Sequence, residues 1–467
     1  MNPADTAFST LPLPAAVLAN LERLGYERMT PIQAASLPLA LAGRDLIAQA
    51  RTGSGKTAAF GLALLARIDT RRSAVQALVL CPTRELAEQV AQEIRRLARA
   101  EDNVKVLTLC GGSAIRPQLA SLEHGAHVVV GTPGRLLDHL ERGSLGLDAL
   151  ATWVLDEADR MLDMGFADDI AAIARHCPAS TQRQTLLFSA TYPDDVAALA
   201  ARYLREPREV KLAERPDAQQ IRQRFYEVDE GERLHAVGLL LEHFRPERTL
   251  AFCNTKQQCR DLVAVLQAQG LVALELHGDL EQRERDQVLV RFANRSASVL
   301  VATDVAARGI DIAGLEAVIN VDIAAEAQVH THRIGRTGRA GLSGQAFSLA
   351  SVDEMGRVGR IDAMQGRESE WQALAELKAA APDAARAPLL PPMVTLQILG
   401  GRKEKIRAGD VLGALTKDLG IEAEHVGKID VNDFSTYVAV HRDRADRALR
   451  GLNTGKVKGR SVKVRRL

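Results

Sequence analysis

Aromatic side chains are scarce in this 467-residue chain, at 4%, and so are cysteines. The five cysteines (Cys81, Cys110, Cys177, Cys253, Cys259) are an odd number, and no two are spaced as CxxC. Cys81, Cys110 and Cys253 sit in apolar runs and read as small core residues, which argues against both a disulfide framework and a zinc site. No apolar run approaches the roughly 20 residues that cross a bilayer. The first basic residue is Arg23, so the charged start of a secretory signal is missing too. The expectation is a reduced, cytoplasmic protein without a membrane partner. Disorder is excluded by composition: 46% of residues are apolar and 25% charged, with a mean hydropathy of -0.09, too apolar for a chain that cannot build a core. At roughly 150 residues per domain, the length points to about three domains.

A net charge of +1 hides an asymmetry. Residues 391–467 carry 16 Lys and Arg against 9 Asp and Glu, whereas the remaining 390 residues carry 44 against 50. A basic tail on a mildly acidic body suggests that an anionic partner is gripped at the C-terminus.

From residue 45 to about 350, short apolar runs alternate with helical stretches. The runs include Ala77–Leu80, Val128–Val130, Trp153–Leu155, Leu186–Phe188, Leu250–Phe252, Val299–Val301 and Ala317–Val321. Fully apolar strands separated by amphipathic helices predict parallel sheets covered on both faces. The series is too long for one sheet, and Arg205–Gln223, charged and without a clean period, reads as a break. The segment Ala379–Pro392 reads as an Ala/Pro-rich linker. Beyond it, Val394–Leu399, Val411–Leu419, Val426–Val431, Tyr437–Val440, Ala445–Leu452 and Val462–Val464 suggest the βαββαβ order of a small α+β RNA-recognition type of domain. The fold class is therefore α/β. Two tandem parallel-sheet domains (1–208 and 219–370) are followed by a linker (371–392) and an α+β domain (393–467).

Two motifs carry chemistry. Ala50-Arg51-Thr52-Gly53-Ser54-Gly55-Lys56-Thr57 follows the apolar run Asp45–Ala48 and opens the helical stretch Ala58–Leu65. Strand, Gly-rich loop and helix in that order make a phosphate-binding loop. Its backbone N–H groups wrap a phosphate, Lys56 (expected to be an exposed loop lysine) reaches the β/γ oxygens, and Thr57 holds Mg²⁺. Asp156-Glu157-Ala158-Asp159 directly follows Trp153–Leu155, which puts two carboxylates on the sheet edge where such folds bind ligands. Asp156 suits the metal, and Glu157 can orient or deprotonate the attacking water.

These two motifs and an ordered set around them resemble the DEAD-box RNA helicases of superfamily 2. Gly25-Tyr-Glu-Arg-Met-Thr-Pro-Ile-Gln33 matches that family's adenine-reading motif, with Phe8 as its upstream aromatic. Pro82-Thr-Arg-Glu-Leu86, Gly111-Gly112, Thr132-Pro-Gly-Arg135 and Ser189-Ala-Thr191 follow. The second domain adds Gln282-Arg-Glu-Arg285, Ala302-Thr-Asp-Val-Ala-Ala-Arg-Gly-Ile-Asp311 and His332-Arg-Ile-Gly-Arg-Thr-Gly-Arg339. The match covers about residues 8–350; His330 stands where the family more commonly has Tyr. The resemblance implies two RecA-like domains that hydrolyse ATP and separate short RNA duplexes. Gln33 has an amide able both to donate to and accept from an adenine edge, favouring ATP over GTP. Tyr26 reads equally as a base-stacking ring or a core residue. Arg336 and Arg339, three apart and expected on one helical face, would reach the γ-phosphate when the domains close. Gly309 and Asp311 would meet the ribose, and Ser189 and Thr191 would relay closure to RNA. Arg84, Gly112, Thr132, Arg135, Arg285 and Thr303 suit sequence-blind sugar–phosphate contacts.

The tail resembles the RNA-binding domain of one bacterial branch of that family, through Leu399-Gly-Gly-Arg-Lys-Glu-Lys-Ile-Arg-Ala-Gly-Asp-Val-Leu-Gly-Ala-Leu415, Val426-Gly-Lys-Ile-Asp430 and Lys456-Val-Lys-Gly-Arg460. That domain recognises hairpin 92 of 23S ribosomal RNA, which implies work in large-subunit assembly by a monomer. The first strand, Val394–Leu399, has no aromatic and Tyr437 is the one aromatic placed on the third, so the sheet is a poor stacking surface. The basic loop residues Arg402, Lys403, Lys405, Arg407 and Lys428 are better candidates for RNA contact. Two other readings stay open: an ATP-dependent RNA clamp that holds RNA in a complex, and a DNA-directed motor of the same superfamily.

Overall fold

The computed structural model describes residues 6–50, 53–211, 221–307, 314–338, 343–379 and 389–467. The chain divides into two compact units, one built on a first sheet and the other on a second and a third. The first sheet contains β1 (Leu46–Gln49), β2 (Ala77–Leu80), β3 (Val106–Leu109), β4 (Val128–Gly131), β5 (Thr152–Asp156), β6 (Gln184–Ser189) and β7 (Arg208–Lys211). Their order is β3-β4-β2-β5-β6-β1-β7, with every pairing parallel. The unbroken apolar runs have a direct cause. In β2, Ala77 and Val79 enter one helix-covered layer with Phe60, while Leu78 and Leu80 enter the opposite layer with Trp153. A strand buried on both faces has no polar side to show.

The second sheet contains β8 (Ile221–Glu227), β9 (Thr249–Cys253), β10 (Ala273–Leu276), β11 (Val299–Thr303), β12 (Ala317–Asn320), β13 (Gly344–Ala350) and β14 (Trp371–Gln372). Its order, β10-β11-β9-β12-β13-β8-β14, repeats the first sheet's strand for strand. The two α/β domains therefore share one topology. The expected break at 205–223 is only partly a break. Arg208–Lys211 pairs with β1 as an edge strand, and β8 already starts at Ile221. An edge strand with three exposed residues of four can carry charge, which is why its periodicity was not visible.

The third sheet is antiparallel, with β15 (Met393–Leu399), β16 (Val426–Val431), β17 (Thr436–His441) and β18 (Lys463–Arg466) in the order β16-β17-β15-β18. Helices Ala408–Gly413 and Arg442–Thr454 complete the expected βαββαβ order, the first running on into a wider π turn, Ala414–Asp418. Val394, Leu396 and Ile398 alternate into this domain's core beside Val438 and Val440. Cys81, Cys110, Cys253 and Cys259 are buried free thiols. Among the described residues no helix is long and apolar enough to cross a membrane.

His330 lies in helix Ala327–Ile334, fully buried, stacked on Phe225 at 5.9 Å, with Nε2 3.3 Å from the Gln223 amide oxygen. Burial, aided by Arg333 and Arg367, pushes its pKa down from 6.5 to about 3. Below the unfolded value the unfolded chain takes up a proton that the folded ring refuses. The neutral ring's contribution is therefore intact above about pH 6.5 and is lost as the pH falls toward about 3, with a slope of up to about 1.4 kcal/mol per pH unit. His330→Phe should flatten this part of the acid sensitivity. Thermal unfolding at about pH 7 and pH 5 tests it: a variant that loses as much stability as wild type over that interval would show that His330 is not the group responsible.

Candidate nucleotide and RNA site

β1, β6 and β5 lie side by side, so the loops that leave their C-terminal ends are neighbours. The phosphate loop follows β1. Gly53 and Gly55 adopt φ of +81° and +94°, which side chains disfavour, and Gly55 caps helix Lys56–Leu65. That exposes the helix N-terminus, with its unpaired N–H groups and positive dipole end, to an anion. Ser54 and the half-buried Thr57 flank this end, and Ala50 N–H donates to the Ser189 carbonyl at 3.0 Å, tying the loop to β6. Arg51 and Thr52 lie outside the described residues. Lys56 departs from expectation. It is 6% exposed, and Nζ donates to the Ala50 carbonyl at 2.9 Å. The ammonium turns back to the start of its own loop, so spacing alone misleads about its exposure.

Gln33 and Tyr26 are held by protein partners. The Gln33 amide oxygen accepts from Thr30 N–H at 2.9 Å, and its Nε2 donates to the Gly55 carbonyl at 3.0 Å. The residue thus joins a helix start, Pro31–Leu41, to the phosphate loop. The Tyr26 hydroxyl donates to Glu93 at 2.5 Å and its ring meets Phe8 edge-on at 6.0 Å. Burial and then Glu93 push its phenol well above the usual range.

The acidic motif follows β5. Asp156, Glu157 and Asp159 are all buried, and each has a different partner. Asp156 accepts from Glu157 N–H at 3.0 Å. Burial pushes its carboxyl up strongly, the Lys56 ammonium opposes this, and the neighbouring Glu157 adds to it. A buried oxygen donor with excess negative charge around it suits a small hard cation such as Mg²⁺. Glu157 sits in the left-handed region, φ +51°, and ion-pairs with Arg160 at 2.8 Å. Asp159 accepts from Thr191 Oγ1 at 2.7 Å and Thr191 N–H at 2.9 Å, and its own N–H donates to Ser189 Oγ at 3.2 Å. Against its burial, the Thr191 hydroxyl, then the Lys56 ammonium, the Ser189 hydroxyl and the Thr191 N–H hold the Asp159 carboxyl below its usual value. Asp159 and Arg160 were missed in the sequence; the second Asp of the motif and the Arg beside it were the available signal.

The expected RNA residues of the first domain gather at the C-terminal ends of β2, β3 and β4. A side chain at Gly112 would overlap the Arg84 guanidinium, so the glycine opens the space that Arg84 fills. Thr132 precedes helix Pro133–Glu141, and Arg135 donates to Gln118 at 2.9 Å and the Ser113 carbonyl at 3.2 Å. In the second unit, Thr303 ends β11, and Arg285 reaches the carbonyls of His277 and Ala306 at 3.5 and 3.4 Å. Arg336 is not helical as expected. Helix Ala327–Ile334 stops before it, and the turn continues into Gly338 at φ +66°, because a run containing two glycines does not extend a helix. Arg336 is buried in that turn; Arg339, Gly309 and Asp311 lie outside the described residues. The same run contains a residue the sequence reading overlooked. Arg333 is buried and grips Asp304 with two 2.7 Å bonds, while also reaching the Asp322 carbonyl and Asn254.

In the third domain the outer sheet face is closed. Thr395 Oγ1 lies 2.7 Å from Ser296 Oγ and 3.3 Å from Asn294 Nδ2, both on the turn leading to β11. Gln397 is held between Tyr437 at 3.2 Å and Arg465 at 2.7 Å. Arg402, Lys403, Lys405 and Arg407 are exposed in the loop after β15. Lys428 is a correction: it lies on β16, paired with Asp430 at 2.9 Å, where a bulge between Val426 and Ile429 lets a polar strand face water.

The Glu157–Arg160 pair generates a stability test. Arg160→Ala leaves the Glu157 carboxylate buried without its cation, a loss of about 3–5 kcal/mol for a buried pair. Chemical denaturation of the first domain should show it, with much of the loss recovered when Glu157→Gln is added. A change below about 1 kcal/mol, the scale of an exposed pair, would mean that water replaces Arg160.

Comparison with known proteins agrees with this geometry. The chain matches the DEAD/DEAH box helicase family over residues 30–199, the helicase conserved C-terminal domain over 232–341 and the DbpA RNA-binding domain over 395–466. It is 52% identical over 463 residues to the ATP-dependent RNA helicase DbpA of Escherichia coli K12, covering 99% of this chain and all of that one. It is 46% identical over 333 residues to the DEAD-box ATP-dependent RNA helicase CshA of Geobacillus kaustophilus, 71% of each chain. Among solved structures, S. cerevisiae Dbp5 bound to RNA and ADP BeF3 is similar at 30% identity and a TM-score of 0.73, over 80% of this chain and 97% of that one. A likeness that runs through both helicase domains and on into the tail leaves one conclusion: this chain belongs to the DEAD-box ATP-dependent RNA helicases, enzymes that hydrolyse ATP and bind RNA, and within them it is a homologue of DbpA.

Proposed function

We propose that this helicase separates short RNA duplexes locally, one ATP-driven closure at a time. Its third domain directs it to 23S ribosomal RNA at hairpin 92 during assembly of the large subunit, in the cytoplasm and as a monomer. The observation that carries the mechanism is the chain of bonds at the ends of β1, β5 and β6. The phosphate loop hangs on Ser189, and Ser189 and Thr191 hang on Asp159 of the acidic motif. A shift at the nucleotide therefore moves Ser189 and Thr191, which makes them suitable relays between ATP and RNA.

The roles follow from position. Gly53, Ser54 and Gly55 cradle the phosphates through N–H groups, with Ala50, Arg51 and Thr52 leading in, and Lys56 turns its ammonium from the Ala50 carbonyl to the β/γ oxygens. Asp156 and Thr57 would hold Mg²⁺, which supplies charge neutralisation at the phosphates. Glu157 orients the attacking water and accepts its proton. Gln33 reads the adenine edge by exchanging its contact with the Gly55 carbonyl for the base, and Tyr26 braces that loop from behind. Arg336 and Arg339 offset negative charge at the γ-phosphate when the domains close, with Gly309 and Asp311 at the ribose. Hydrolysis is thereby coupled to closure. Arg84, Gly112, Thr132 and Arg135 on one domain, and Arg285 and Thr303 on the other, grip the sugar–phosphate backbone.

Lys56→Ala should end RNA-stimulated ATP turnover while circular dichroism shows a folded protein; normal turnover in that variant overturns the phosphate-loop assignment. Removing residues 391–467 should abolish preferential activation by an RNA containing hairpin 92, while weak ATPase activity with arbitrary RNA persists at high concentration. ATPase activation by the hairpin against a length-matched scrambled RNA measures this. A truncated protein that still discriminates between them would place recognition in the helicase domains instead.

A further inference from the structure

An RNA-binding domain of this topology ordinarily reads bases by stacking them on aromatic rings of its sheet. That surface is not available here. Tyr437, on β17, is 6% exposed and hydrogen-bonded to Gln397, and Thr395 on the same outer face is packed against Ser296 and Asn294. Yet the domain does expose one aromatic. Phe434, in the hairpin between β16 and β17, is 72% exposed, more than any other large apolar side chain among the described residues. Nothing in the core requires a phenylalanine there, and an isolated ring in water is unfavourable without a partner.

Its neighbours are built into place. The loop after β15 lies flush on the hairpin: Arg402 N–H donates to the Asn432 carbonyl at 2.8 Å and Lys403 N–H to the Asp433 carbonyl at 3.0 Å. A side chain at Gly401 would collide with the Asn432 carbonyl, so this approach depends on glycine. The hairpin closes through Asn432 N–H to the Ser435 carbonyl at 2.8 Å. A third loop joins them, with Lys458 Nζ donating to the Lys405 carbonyl at 2.6 Å. Three loops thus converge: the hairpin that carries Phe434 is bonded to the loop that carries Arg402, Lys403 and Lys405, and Lys458 joins that loop. The acidic side chains here are already engaged: Asp433 by Arg402 at 3.6 Å, Glu404 by Gly401 N–H at 2.7 Å, and Asp410 by Lys458 at 3.6 Å and Arg407 N–H at 2.9 Å. The residual field is positive. An exposed ring amid cations on fixed loops is the pairing that single-stranded nucleic acid recruits, with phosphates on the cations and a base on the ring.

We propose that Phe434 is the base-stacking residue of this domain, holding an unpaired base of the RNA while Lys403, Lys405 and their neighbours hold the flanking phosphates. The proposal rests on the reading of the third domain as the RNA binder. It relocates base contact from the sheet face to the hairpin tip.

The test uses full-length protein and two RNAs of equal phosphate number, a hairpin with an unpaired loop and a blunt, fully paired duplex. Phe434→Ala should weaken hairpin binding on the order of tenfold, the scale of losing one stacked base, and leave duplex binding and the salt slope of hairpin binding unchanged. Phe434→Leu, equally apolar but without a π face, should lose most of that affinity, whereas Phe434→Trp should keep it. The triple variant Lys403→Ala, Lys405→Ala, Arg407→Ala should instead flatten the salt dependence, by up to about one unit of log–log slope per lost phosphate contact. If the triple variant weakens hairpin binding while Phe434→Ala and Phe434→Leu bind like wild type, the stacking proposal is overturned and the domain's role stands. If none of these variants alters binding, the reading of this domain as the RNA binder fails with it.

Discussion

Three carboxylates buried within four residues, at the end of one strand, are the constraint from which the nucleotide site follows. Buried charge is costly unless each group finds compensation, and here each finds a different kind. Asp156 has the Lys56 ammonium nearby, Glu157 has the Arg160 guanidinium, and Asp159 has two hydroxyls and a backbone N–H. Lys56 comes from the phosphate loop after β1, and the hydroxyls come from the end of β6. The offsets therefore draw three loops together. The least compensated of the three, Asp156, is the one whose carboxyl burial raises and whose position suits a divalent cation. In this view the acidic motif is a structural knot, and a divalent cation held at Asp156 would complete the charge balance that the protein leaves open.

The second α/β domain solves the same problem with the opposite sign. Arg333 and Arg233 are among its largest fully buried side chains. Arg333 is held by Asp304, Asn254 and a strand-end carbonyl, and Arg233 by Glu354 at 2.7 Å and the Val321 carbonyl at 2.7 Å. A planar guanidinium can meet several acceptors at once. It therefore ties together the segments that follow several strands, with Asn254 after β9, Asp304 after β11 and the Val321 and Asp322 carbonyls after β12. Two sheets of one strand order thus carry buried charge at the ends of their strands, carboxylates offset by cations in the first domain and guanidiniums offset by carboxylates in the second.

Much of this was legible in the sequence because both sheets are parallel and covered on both faces. Ala77–Leu80 or Val299–Val301 can hardly be read otherwise, and the phosphate loop and acidic motif fall at strand ends by their order alone. The third domain's β16 emerges at its expected bounds, Val426–Val431, because turn residues flank it on both sides. What stayed hidden depends on contacts that residue spacing does not show. Lys56 is buried with its ammonium turned back to the Ala50 carbonyl. Arg208–Lys211 becomes a strand because β1 offers an open edge. Arg336 leaves the helix because of the glycines around it, a local signal that an i, i+3 spacing outweighed. Arg160, beside the acidic motif, and Arg333, inside the second domain's Arg-rich run, acquire a role only through the carboxylates that face them. Phe434 escaped notice because sequence shows an aromatic without showing whether it is buried.

Charge decides how such parts work together on a polyanion. The helicase domains, with 44 cationic against 50 anionic residues upstream of position 391, carry no net positive charge to draw a polyanion toward them. On the proposed reading, their grip on RNA would come from individual cations placed in strand-end loops. The tail's surplus, 16 against 9, supplies long-range attraction that falls with salt. If the tail binds RNA as proposed, joining it to the helicase domains would make the second encounter intramolecular and raise the local concentration of nearby duplexes. On the proposed reading, a core that holds RNA only weakly by itself would then be an advantage: it would act on duplexes brought near by the tail and release them when closure ends, instead of remaining bound to whatever RNA it met first.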